Sequence, residues 1–108
     1  MQRRTLGAAL TLLPLLAVAA STAPTLAEAQ RAYHIGQYRV SLAMFEQLAG
    51  RHNAEAAECA GFMLLMGEGM YGAQVRRDVE RAKVLLVEAA AAGRPGAAFL
   101  LNMIERTD

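Results

Sequence analysis

Four glycines set the frame. Gly36, Gly50, Gly67 and Gly93 separate segments rich in alanine and leucine, each ten to fourteen residues long. Within the segments, apolar residues recur three and four positions apart, the spacing of one helix face. Glycine adopts the left-handed conformation that ends a helix, so each one marks a stop. No segment alternates apolar and polar residues with strand chemistry. The chain is therefore expected to be all-α, built from short helices joined by tight turns.

The starts agree with the stops. Thr25-Leu26-Ala27-Glu28 has capping-box spacing and opens a helix over Leu26 to Ile35. A second helix is expected over Tyr38 to Ala49, with Val40, Leu42, Phe45 and Leu48 as its apolar positions. Asn53 caps a third, Ala54 to Met66, and Asp78 caps a fourth, Val79 to Ala92. Pro95 suits a first helical turn and opens a fifth, to Arg106. Gly67 to Arg77 is read as the longest loop.

The first twenty residues have another character. Arg3 and Arg4 precede an uncharged run from Leu6 to Ala20, which together have the form of a secretory signal peptide. Fifteen apolar residues are short of the ~20 that span a membrane. Two cuts fit the small-residue rule, one after Ala20 and one after Ala29. The later cut would delete the Thr25 helix start, so residues 1–20 are read as the signal. Arg3-Arg4-Thr5-Leu6 is also similar to a twin-arginine export signal. The expected location is extracytoplasmic, either periplasmic or secreted.

Charge and cysteine content exclude several classes. The chain of 108 residues carries 11 Lys and Arg against 10 acids. Without Arg3 and Arg4 the net charge becomes −1, too little to hold nucleic acid or an anionic lipid surface. One cysteine excludes an intrachain disulfide and any multi-cysteine metal site. The length allows one small domain.

Two parts of the chain repeat. Ala56 in the third helix recurs as Ala97 in the fifth, 41 residues on. Between them run Ala60-Gly61, Gly67-Glu68-Gly69, Asp78, Arg81-Ala82 and Glu88-Ala89-Ala90-Ala91-Ala92-Gly93. In this pattern the segment 54–93 resembles the Sel1-like repeat family. Leu85 stands where that family commonly has tryptophan, Glu88 where it has a basic residue, and the loop runs about five residues longer. The preceding segment, 21–53, resembles the related tetratricopeptide repeat (TPR). Gly36-Gln37-Tyr38 is similar to its turn, Phe45 follows seven residues after Tyr38, and Ser41 replaces its usual alanine. Residues 94–108 read as a capping helix with the polar tail Asn102, Glu105, Arg106, Thr107 and Asp108. The resemblance implies a short α–α superhelical array and a non-catalytic scaffold that binds another protein.

Candidate chemistry is sparse. Gly67-Glu68-Gly69-Met70-Tyr71-Gly72 matches G-x-G-x-x-G, but a dinucleotide site needs a strand before it, and here a helix precedes. Met63, Met66 and Met70 near His52 and Cys59 have donors that suit copper(I), yet Met63 and Met66 lie three apart on an apolar helix and read as core. Cys59 reads as a buried thiol, with an intermolecular bridge as the alternative. His34 and His52 have no nucleophile pattern around them, and Glu55 and Glu58 read as a solvated face. No catalytic residue, cofactor or metal is expected.

What remains for a partner is aromatic and cationic: Tyr33, Tyr38, Tyr71, Arg76 and Arg77. Tyr71 has two readings, a contact for a partner or packing on the helices. A homo-oligomer is the second way to complete an array this short. The competing function classes are a small hydrolase or ligand-binding protein, and an adaptor tethered by an uncleaved signal. A cleft holding His34 or His52 beside a carboxylate would favour the hydrolase.

Overall fold

The computed structural model describes residues 23–107. The expected signal, residues 1–20, lies outside the described residues. Within them the chain is helical and holds no strand. The helices are α1 (Leu26–His34), α2 (Tyr38–Ala49), α3 (Ala54–Met66), the single turn α4 (Glu68–Tyr71), α5 (Val79–Ala91) and α6 (Pro95–Thr107). A 3-10 turn, Gly72–Gln74, follows α4. The stretch read as a loop thus contains two short turns, too brief for periodicity to register. No described helix is long and apolar enough to cross a membrane.

Each cap is made as its chemistry requires. Thr25 Oγ1 accepts from the Glu28 amide at 3.1 Å, and Glu28 Oε1 accepts from the Thr25 amide at 2.9 Å. Asn53 Oδ1 accepts from Ala56 N, and Asp78 Oδ1 from Arg81 N. Gly67 is constrained twice. Its φ is +58°, and a Cβ there would lie 2.6 Å from the Arg77 amide nitrogen.

Short connections fold neighbouring helices back on each other. α1 pairs with α2, α3 with α5, and α6 then packs on α5 and α3. Gly61 permits the close approach of α3 and α5, since a Cβ there would sit 2.7 Å from Leu86 Cδ2. α3 is apolar on two sides because both are covered. Ala57, Leu64 and Leu65 meet Ala82, Leu86, Ala89, Ala97, Leu100 and Ile104. On its other side Ala56, Ala60 and Met63 meet Ala29, Phe45 and Leu48, with Tyr71 and Val75 from the connection to α5.

Two details tie the first pair in place. Ser41 is fully buried, and its hydroxyl donates to the Ala29 carbonyl at 3.0 Å, which satisfies this buried polar group. A chain beginning at Gln30 would lose that acceptor as well as the α1 cap. At the far end, Gly96 lets the first turn of α6 settle on the Glu58 carboxylate, which a Cβ would strike.

Candidate functional site

Three helices, α1, α3 and α6, line one groove of about 550 Å³. Phe45 from α2 belongs to the same lining. Tyr33, Phe62, Met63, Phe99 and Leu100 make most of its wall, so its surface is chiefly apolar and aromatic. The register of α6 explains the wall on that side. Ala97, Leu100 and Ile104 are spent on the core, which leaves Phe99 64% exposed.

Polar groups are few and mostly committed. Gln30 Nε2 donates to Glu55 Oε2 at 3.2 Å. Glu58 Oε1 accepts from Arg94 Nε at 3.1 Å and Nη2 at 2.7 Å. His34 lines the groove and meets Tyr33 edge-on at 6.0 Å. Cys59 also lines it. Burial, together with the Glu55 and Glu58 charges, pushes its thiol above the ordinary cysteine range, against a weaker opposing effect of Arg94. A nucleophilic cysteine needs the reverse, a lowered pKa in a positive setting. His52 is exposed, with φ +68°, in the turn between α2 and α3. Among the described residues no three His, Cys, Asp or Glu side chains gather to hold a metal ion.

The residues expected to meet a partner divide. Tyr33, Tyr38 and Tyr71 form one cluster, with ring centroids 5.3 Å apart for Tyr33–Tyr38, 5.8 Å for Tyr33–Tyr71 and 4.8 Å for Tyr38–Tyr71. Tyr71 is 4% exposed, and its hydroxyl lies 2.9 Å from that of Tyr33. Of its two readings, the structure gives it packing: burial, then the Tyr33 hydrogen bond, raises its phenol above the ordinary tyrosine range. Arg77 Nε donates to the Leu65 carbonyl at 3.0 Å, closing the end of α3. Its amide donates to Glu68 Oε1 at 3.0 Å, and that bond is the largest cause of the lowered Glu68 pKa. Arg76 is exposed, and its charge adds to the same lowering. Of the five, Tyr33 alone appears in the groove lining.

Sequence reasoning missed Phe62, Phe99 and Gln74. Phe62 and Phe99 stand in apolar helices and belong to no motif. A sharper signal was present in α6, where Phe99 lies off the Ala97–Leu100–Ile104 stripe and so has no place in the core. Gln74 carried no signal of its own. Its Oε1 accepts from Tyr38 N at 2.9 Å and Arg39 N at 3.3 Å, and its Nε2 donates to the Gly36 carbonyl at 3.0 Å. It thereby caps α2, whose own N-cap residue Gln37 makes no side-chain cap.

Compared with family models, curated proteins and solved structures, the chain matches none.

Proposed function

We propose that the chain is an exported, non-catalytic interaction module, a short array of TPR-like and Sel1-like helical pairs whose groove takes an apolar segment of a protein. The observation that carries the reading is the groove itself. It is formed by α1, α3 and α6, and its wall is aromatic where a partner would touch it. Tyr and Phe anchors of this kind supply contact area at low entropic cost.

The 41-residue offset supports the array. On α3 the residues turned to α5 include Ala57, Gly61, Leu64 and Leu65. Their counterparts on α6 are Ala98, Asn102, Glu105 and Arg106, all exposed and mostly polar. This suits α6 to a capping role, with its pairing face given to water. The extracytoplasmic location rests on the N-terminal sequence pattern alone.

The hydrolase reading has one observation in its favour: His34, Glu58 and Cys59 share the groove. The Arg94 pair on Glu58 and the raised thiol weigh against it. Chemical crosslinking in the native compartment, followed by mass spectrometry, tests the leading reading. The chain is expected to capture a protein, to lose it on Phe99→Asp, and to retain it on Arg76→Glu. Capture that survives Phe99→Asp and disappears on Arg76→Glu would move the contact to the α3–α5 connection and overturn the groove.

A further inference from the structure

We infer that the groove is a self-association surface, occupied by α6 of a second copy of this chain. The inference rests on the interaction-module reading and names its partner. Three observations point to a second copy.

The first is that one face carries both a hole and a ridge. The groove lies between α1 and α6, and the α6 wall stands out from it. Gly96, Phe99 and Met103 follow at spacings of three and four, a single stripe about 10 Å long. Phe99 is 64% and Met103 40% exposed. A two-fold axis near the groove sets the stripe of each copy into the hollow of the other. Such an isologous contact closes on itself and needs no second complementary surface. Phe99 of one copy then meets Tyr33, Cys59 and Phe62 of the other.

The second concerns charge. Glu58, which Arg94 holds at 2.7 Å, is the only carboxylate of the groove lining, where His34 is the one basic side chain. Joining two such faces brings together no unpaired carboxylates from the lining, a common obstacle to self-contact.

The third concerns area. Helices of 9, 13 and 13 residues present faces about 13–20 Å long at 1.5 Å per residue, laid side by side 8–10 Å apart. Their footprint is about 500 Å² per copy, so a dimer covers about 1,000 Å², the lower bound for a specific interface. The far side of α6 offers no rival, since Ala98, Asn102, Glu105 and Arg106 give copies nothing apolar on which to stack end to end.

The test is sedimentation equilibrium on the chain as purified from the producing cell, its N-terminus read by mass spectrometry. Over roughly 1–500 µM, a range suited to a small interface, the average mass is expected to rise from one chain to two. Phe99→Asp should hold it at one chain. Val84→Asp, on the outer face of α5 where Val84 is 67% exposed, should follow the parent. A second readout needs no substitution. Alkylation of Cys59, inside the groove, should slow as the parent chain is concentrated, and should not slow in Phe99→Asp. A parent that stays single at every concentration overturns the inference, as does a dimer indifferent to Phe99→Asp or dissolved by Val84→Asp. If the single chain still captures a foreign protein through Phe99, the dimer fails and the interaction-module reading stands.

Discussion

Tyr71 shows how one side chain is claimed by packing rather than recognition. Its ring fills the space where α1, α2 and the α3–α5 connection meet, and its hydroxyl is satisfied by Tyr33. The folded state therefore holds the Tyr71 proton more tightly than the unfolded chain does. Stability from this group is complete below an unfolded pKa of about 10 and is lost as pH rises beyond it. Tyr71→Phe removes one hydrogen bond, at a cost of about 1 kcal/mol near neutrality. The parent's advantage over Tyr71→Phe should hold up to about pH 9 and vanish or reverse by about pH 11, since each unit is worth about 1.4 kcal/mol. Urea unfolding of both proteins at pH 7, 9 and 11 measures it. A constant difference across that range would place the proton elsewhere.

At the scale of elements, four helix starts depend on a named side-chain oxygen, but not always a local one. α1, α3 and α5 are capped by Thr25, Asn53 and Asp78, side chains adjacent to the helices they start. α2 borrows Gln74 from 36 residues away. Gln74→Ala should cost about 1–2 kcal/mol, the value of a lost cap, with an unchanged slope of stability against urea. Gln74→Glu keeps the acceptor and loses the donor to Gly36, so it should fall between parent and alanine. An unchanged midpoint for Gln74→Ala would mean that water caps α2 equally well. The same contrast explains what was legible in the sequence. α2 and α3 have the expected bounds, and α1, α5 and α6 end within one residue of theirs, because caps and glycine stops act over three or four residues. The turn α4, the Gln74 clamp and the meeting of α6 with α1 and α3 around the groove were not legible. The first is barely one helical period long, and the others join residues more than thirty positions apart, which no local pattern encodes.

For the whole molecule, the economy of the core decides where apolar surface is left over. Alanines at Ala56, Ala57, Ala60, Ala82, Ala89 and Ala97 let the helices lie close, so few large side chains are needed between them. Tyr33 on α1, Phe62 on α3 and Phe99 on α6 turn to the groove. A monomer leaves such aromatic surface uncovered only at a cost in solubility, and a bound protein segment removes that cost. Arg81 pairs with Glu46 across α5 and α2, but the pair is half exposed and contributes little. Val84 and Val87 are exposed on the outer face of α5, but they supply no aromatic anchor. The most direct test of this account places a benzoylphenylalanine photocrosslinker at position 99 and, in separate chains, at positions 76 and 84, with irradiation in the native compartment. Position 99 should give a covalent adduct of defined mass, while positions 76 and 84 give the free chain. Adducts from 76 or 84 with none from 99 would contradict the claim that α1, α3 and α6 present the binding surface.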